Sequence, residues 1–154
     1  EITEIERQQW GERFTQISQE ELRSCRTIRG ARETLAFWEG KLPLYVCSGA
    51  PEAEQRAILA SHDMDHFFTK IYGAPPAKAE LLARIVREAH VEPRETLMVG
   101  DASTDRDAAA QAGTLFYGVG ALLKGGDHPW GDDLTSLSSF IQNAMSDDSN
   151  TTKE

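Results

Sequence analysis

Short apolar runs alternate with helix-like segments from residue 31 onward. The runs with the length and character of buried parallel strands are residues 42–47, 69–72, 96–99 and 114–119. The segments that favour helices before, between and after them are residues 31–39, 51–61, 77–90, 104–112 and 134–145. Strands that alternate with helices predict an α/β fold with a Rossmann-like, doubly wound parallel sheet.

The two ends of the chain follow other patterns. Trp10, Phe14 and Ile17 are spaced to share one face of a helix, so residues 1–28 are predicted to be helical. Residues 146–154 contain no large apolar side chain and are predicted to form a solvated, disordered tail. The sequence is therefore divided into a helical segment (1–28), an α/β core (29–145) and a tail (146–154).

Composition and net charge limit the kinds of molecule that this chain is expected to bind. The 154 residues suit one domain, and the net charge of -9 argues against nucleic acid or an anionic membrane as the main partner. A small anion in a local pocket is compatible with this charge, because a few residues set such a pocket. Two cysteines, Cys25 and Cys47, are too few for a disulfide framework. We therefore expect a cytoplasmic protein, and the sequence says nothing about its oligomeric state.

Candidate functional residues lie just after the predicted strands. Ligands of open parallel sheets bind beyond the carboxyl ends of the strands. Ser48 and Gly49 follow one predicted strand, and Gly100 and Asp101 follow another. Lys78, at the start of a predicted helix, is expected to reach the same edge.

Asp101 and Asp105 place two carboxylates four residues apart at a predicted loop–helix junction. Carboxylate oxygens of this kind suit Mg²⁺, which takes one or two carboxylates together with waters and phosphate oxygens. The spacing alone also fits a simpler interpretation, in which Asp105 caps the helix and Asp101 occupies a turn.

Ser48 and Gly49 offer a hydroxyl and a backbone N–H near a predicted helix start, which favours an oxyanion or phosphate cradle. Lys78 is a cation in a first helical turn, where the helix dipole disfavours positive charge, so we interpret it as neutralising a bound anion. A plain helix cap and a solvated lysine are the corresponding alternatives.

Taken together, these segments resemble three motifs of the haloacid dehalogenase (HAD) superfamily of phosphohydrolases. The segment LPLYVCSGAP resembles the second motif, with Ser48 as its serine. The segment PPAKAELL resembles the third motif, with Lys78 as its lysine. The segment MVGDASTDRDAAAQAG resembles the fourth motif, which has the pattern GDxxxD. The resemblance covers residues 28–120. The helical segment 1–28 resembles the end of a small helical cap, as in phosphoglycolate phosphatase-like members.

The resemblance implies a mechanism and a role for each residue. An aspartate on the first strand of the family attacks phosphorus and forms an aspartyl-phosphate. Ser48 and Gly49 would hold a phosphoryl oxygen, and Lys78 would neutralise charge. Asp101 would bind Mg²⁺, with Asp105 as a second ligand or a partner of the ligand. The implied substrate is a small phosphorylated metabolite.

The sequence departs from the family at the nucleophile. The family carries it in a DxDx[TV] motif on a strand upstream of the cap, whereas no aspartate precedes Asp63 here. The start at Glu1 rather than at a methionine favours a fragment over a degenerate relative. Without that first strand, the strand of Val99 must pair directly with the strand of Val46 or leave a cleft.

Three functions are compatible with these observations. The first is a Mg²⁺-dependent phosphomonoester hydrolase in its complete form. The second is a non-catalytic HAD-like module that binds phosphate, metal or another protein, and the third is an unrelated doubly wound α/β domain. A DxDx[TV] motif upstream of Glu1 would distinguish the first from the second.

Overall fold

The computed structural model describes residues 3–6, 8–9 and 20–151. Residues 4–6, 8–9 and 20–24 are helical. The predicted helix face of Trp10, Phe14 and Ile17 lies outside the described residues. No helix in the described ranges is long and apolar enough to cross a membrane.

Helices and strands alternate as predicted. The helices are α1 (Ala31–Trp38), α2 (Glu52–Ser61), α3 (Lys78–Ala89), α4 (Ser103–Ala112) and α5 (Leu137–Thr151). The strands are β1 (Tyr45–Pro51), β2 (Lys70–Ala74), β3 (Leu97–Gly100), β4 (Leu115–Val119) and β5 (Trp130–Gly131). The predicted α/β class with parallel strands is confirmed, and β5 is an additional strand of two residues.

The described strands form two parallel sheets rather than one. Strand β1 pairs with β2 in the first sheet, and the second sheet has the order β3-β4-β5. No strand ladder within the described residues joins β1 to β3, although Cys47 of β1 packs against the cluster that contains Met98 of β3. Of the two arrangements expected for a missing strand, the structure has the one in which β1 and β3 do not pair.

Helix α3 joins the two sheets through its buried stripe. Leu81 and Ile85 pack against Tyr72 of β2, while Leu82 packs against Met98 of β3. The stripe follows from apolar residues at helical spacing, and burial of each such side chain contributes about 1.5–3 kcal/mol. This helix therefore fixes the first sheet relative to the second.

Strand β1 differs from its prediction at both ends. It spans Tyr45–Pro51, so residues 48–51 belong to the strand and not to a turn. The register places Cys47 opposite Tyr72 and Pro51 opposite Ala74, so three residues of β1 face the single residue Gly73. This irregularity is a bulge, which accommodates turn-like residues inside a strand.

The C-terminal helix also differs from its prediction. It begins at Leu137 rather than at residue 134, because the Leu134 N–H donates to the Arg29 carbonyl and Asp133 accepts from the Thr135 N–H in a preceding turn. It continues to Thr151, so the prediction of a disordered tail is wrong for residues 146–151. No proline or glycine follows residue 145 to end the helix.

Candidate active site

Ser48 and Gly49 lie in the bulge near the carboxyl end of β1. The Ser48 Oγ accepts a hydrogen bond from the Ala50 N–H at 3.1 Å. Because this bond uses the oxygen as an acceptor, the hydroxyl proton can be donated to a ligand. The bulge therefore presents a donor at the edge of the sheet where the sequence predicted one.

Gly73 permits this bulge and was not identified from the sequence. A Cβ at Gly73 would collide with the backbone of Ala50 and Glu52. The missing side chain lets β2 approach the bulged part of β1 closely. In the sequence Gly73 only follows the predicted strand 69–72, and a glycine there does not reveal which backbone approaches it.

Lys78 reaches the same edge from the start of α3. Its side chain is 21% exposed and forms an ion pair with Asp105 of α4. Its Cε lies 4.0 Å from the position that a Cβ on Gly49 would take. Lys78 thus lies between Gly49 in the bulge of β1 and Asp105 in the first turn of α4.

Asp101 and Asp105 have different environments although they are only four residues apart. Asp105 is buried, and its Oδ2 accepts hydrogen bonds from the N–H groups of Asp101 and Ala102, each at 3.1 Å. Asp101 is exposed in the loop, and no described residue donates a hydrogen bond to its carboxylate. The structure therefore brings both residues to one loop–helix junction, with Asp105 buried and Asp101 exposed.

Gly100 makes the position of Asp105 possible. A Cβ at Gly100 would overlap the Cβ, Cγ and Oδ2 atoms of Asp105. The glycine at the end of β3 therefore serves close packing against a carboxylate. The position of Gly100 after a predicted strand indicates a site residue but does not reveal this packing role.

Cys47 is half-buried in β1, next to Ser48. Its thiol donates to the Lys78 carbonyl at 3.5 Å, and burial raises its pKa to about 11. The thiol stays protonated at neutral pH and is not a nucleophile. Its role is to pack β1 against α3.

The residues fit a magnesium ion in part. The exposed Asp101 carboxylate can supply a hard oxygen ligand to a metal ion. Lys78 and Ser48 could bind an anion that also coordinates this ion. No group of three or more His, Cys, Asp or Glu side chains that could hold a metal occurs among the described residues. Further ligands would therefore have to come from waters, a phosphate or another segment.

Comparison with known proteins identifies the family to which this chain is related. The family model of the haloacid dehalogenase-like hydrolases matches residues 5–113. No curated protein sequence matches the chain.

Several solved structures share the fold. One is described as a predicted phosphoglycolate phosphatase from Haemophilus somnus 129PT: TM-score 0.80, 23% identity, covering 92% of this chain and 69% of that one. A HAD-superfamily hydrolase of subfamily IA from Geobacter sulfurreducens PCA has a TM-score of 0.70 and 23% identity, over 79% of this chain and 64% of that one. A HAD-superfamily hydrolase from Ehrlichia chaffeensis has a TM-score of 0.66 and 21% identity, over 77% of this chain and 58% of that one.

These likenesses show the fold, and the chain spans between 58% and 69% of the length of these three proteins. The family model, in contrast, matches well over half of the sequence and includes all the residues gathered at the site. The chain belongs to the haloacid dehalogenase-like hydrolases.

Proposed function

We propose that the complete protein is a Mg²⁺-dependent phosphomonoester hydrolase that acts on a small phosphorylated metabolite through an aspartyl-phosphate. One observation carries the proposal: in a chain of the HAD-like hydrolase family, Lys78 pairs with Asp105 beside the exposed Asp101 and also approaches Gly49 in the bulge that contains Ser48. The phosphatases among the structural neighbours support the same class of substrate.

Each residue has a role that its geometry permits. The Ser48 hydroxyl and the Gly49 N–H donate to a phosphoryl oxygen, and the Lys78 ammonium offsets the charge of the phosphoryl group. Asp101 would hold the metal, while Asp105 pairs with Lys78. The metal, when bound, stabilises the negative charge that develops on the phosphoryl oxygens.

The nucleophile is proposed to come from a segment outside this sequence. No aspartate precedes Asp63, and β1 and β3 do not pair with each other. A strand between them would bring its carboxyl end close to Lys78. An aspartate there would attack phosphorus, and the metal would gain a further oxygen ligand.

A second candidate function is a non-catalytic module that binds phosphate and metal. The absence of any aspartate before Asp63 favours it for the chain as it stands. Both functions use the same residues. Hydrolysis of a phosphomonoester by a longer protein that includes the upstream strand would distinguish the enzyme from the binding module. We also propose a cytoplasmic location, which suits a metabolite substrate.

Thermal melting with Mg²⁺, with inorganic phosphate and with both tests the site directly. With only Asp101 as a protein ligand we expect millimolar Mg²⁺ affinity, worth about 4 kcal/mol of binding free energy. Mg²⁺ at ten times its Kd then stabilises the fold by about 1.4 kcal/mol, which raises Tm by about 3–6 °C. Both ligands together should give a larger shift than either alone, because Lys78, Ser48 and Mg²⁺ share one anion.

Matched variants make the result specific. Asp101→Asn should abolish the Mg²⁺ shift, whereas Asp127→Asn, an exposed loop aspartate, should keep it. Lys78→Met should abolish the phosphate shift, whereas Lys124→Met, another lysine outside the site, should not. An unchanged Tm in every condition would show that this chain does not assemble the ligand site, and would refute the proposal for it.

A further inference from the structure

Two side chains that the candidate active site does not use meet at one backbone oxygen. The Cys25 thiol donates a hydrogen bond to the Leu22 carbonyl at 3.0 Å. The His62 Nε2 lies 3.2 Å from the same carbonyl oxygen. The Cys25 Sγ and the His62 Nε2 are therefore at most about 6.2 Å apart, although they come from distant parts of the sequence.

Both side chains lie at the ends of helices. Residues 20–24 are helical, so the Leu22 carbonyl belongs to a last turn, where carbonyls lack partners within the helix. His62 ends α2, and the Arg32 guanidinium donates to the carbonyls of His62 and Asp63. The backbone that carries the imidazole is therefore fixed before any ligand binds.

A thiol and an imidazole are ligands that Zn²⁺ prefers, whereas Mg²⁺ prefers oxygen ligands. Tetrahedral Zn²⁺ binds sulfur at about 2.3 Å and nitrogen at about 2.0–2.1 Å, which places the two ligand atoms about 3.6 Å apart. Cys25 is exposed, so its thiol can turn from the Leu22 carbonyl towards the imidazole of His62. The net charge of -9 also favours a bound cation.

We propose that Cys25 and His62 bind a thiophilic divalent metal ion such as Zn²⁺. The Cys25 thiolate and the His62 Nε2 supply two ligands, and the thiol proton passes to solvent when the ion binds. The described residues contain no group of three His, Cys, Asp or Glu side chains that could hold a metal, so water fills the other two positions. The ion ties the helix of residues 20–24 to the end of α2.

The same contacts also have a purely structural explanation, in which the thiol and the imidazole only satisfy the Leu22 carbonyl. The two explanations differ in how the thiol responds to metal. A thiolate ligand gives a charge-transfer band with Co²⁺ and loses reactivity when Zn²⁺ is bound. A thiol that only donates a hydrogen bond shows neither response.

The first experiment is a Co²⁺ titration of the reduced chain, followed by absorption in the near ultraviolet. We expect a thiolate-to-cobalt band that Zn²⁺ abolishes and excess Mg²⁺ does not. Cys25→Ser should remove the band. His62→Gln should weaken the Co²⁺ affinity by at least about tenfold, because loss of a group that merely orients a ligand already costs about 10–100-fold. His90→Gln, which changes an exposed histidine at the end of α3, should behave like the wild type.

Two measurements on the wild type keep the test independent of how the variants fold. Zn²⁺ should slow the labelling of Cys25 by iodoacetamide several-fold, as mass spectrometry of the peptides checks. Zn²⁺ should also shift the NMR resonances of the His62 ring. Unchanged labelling or unchanged His62 resonances would overturn the proposal.

The remaining outcomes decide between the pair and other sources of the signal. A Co²⁺ band that His62→Gln leaves unchanged would assign binding to the thiol alone and refute the site. A band per chain that grows with chain concentration would show that two chains share the ion, which also contradicts the proposal.

The inference does not rest on the proposed function, and one variant keeps the two apart. Asp101→Asn removes the proposed Mg²⁺ ligand, and we expect it to keep the full Co²⁺ band. Failure of Mg²⁺ to bind at Asp101 therefore leaves the result for Cys25 and His62 unaffected.

Discussion

Substitution of Gly73 by alanine tests whether the bulge of β1 depends on close contact with β2. The added Cβ would collide with backbone atoms of Ala50 and Glu52, which cannot rotate away as a side chain could. Overpacking of this kind costs about 1–3 kcal/mol, and we expect the upper part of the range because the colliding atoms are backbone. A loss of about 3 kcal/mol lowers Tm by about 6–12 °C in a chain of this size.

Gly49→Ala is the matched control, since it adds the same methyl group within the bulge that Gly73 faces. Its nearest neighbour would be the Cε of Lys78 at 4.0 Å, an ordinary contact, so we expect a change within about 0.5 kcal/mol. Urea unfolding followed by circular dichroism gives both free energies of unfolding, and an unchanged slope confirms that the midpoints are comparable. Equal stability of Gly73→Ala and the wild type would refute the steric argument.

Three other predictions concern catalysis, pH and thiol chemistry. The 154-residue chain should not hydrolyse p-nitrophenyl phosphate with Mg²⁺, and activity that is lost in Asp101→Ala would show that the nucleophile lies within this sequence. Hydrogen bonds from neighbours, Lys70 above all, lower the pKa of Glu88 from 4.5 to about 2. The contribution of Glu88 to folding stability is therefore complete above pH 4.5 and is lost as pH falls towards 2. The difference in urea midpoint between the wild type and Glu88→Gln should disappear over that range. A difference that does not change with pH would contradict this prediction. Iodoacetamide at pH 8 should label the exposed Cys25 and spare Cys47 in the folded chain, which mass spectrometry of the peptides checks.

Helix α3 shows what sequence pattern predicts well. Its apolar stripe repeats over three turns, so its limits of Lys78 and Ala89 fall within one residue of the predicted 77–90. The sheet-edge rule also predicted that Ser48, Lys78 and Asp101 share one edge. The structure pairs Lys78 with Asp105 and brings its Cε to 4.0 Å from the position of a Cβ on Gly49, while the convergence of all three residues stays a prediction. The helix follows from local periodicity, and the sheet-edge rule follows from the common direction of parallel strands.

The bulge of β1 shows what the pattern cannot express. Ser48, Gly49 and Pro51 are typical turn residues, and only the pairing with β2 and the missing side chain of Gly73 hold them in a strand. Strand β5, with two residues, is too short for any periodicity. The different surroundings of Asp101 and Asp105 also depend on tertiary contacts, because their spacing in the sequence does not indicate which of the two carboxylates is buried.

The separation of the described strands into two ladders has a consequence for how the chain opens. No backbone hydrogen bond of the ladders passes from β1–β2 to β3–β4–β5, so cooperativity between them depends on side-chain packing through α3. Units joined in this way can open independently, with different free energies of hydrogen exchange. Ser48 belongs to one unit and Asp101 to the other. Local opening between the two ladders would therefore separate Ser48 from Asp101 while each ladder stays intact.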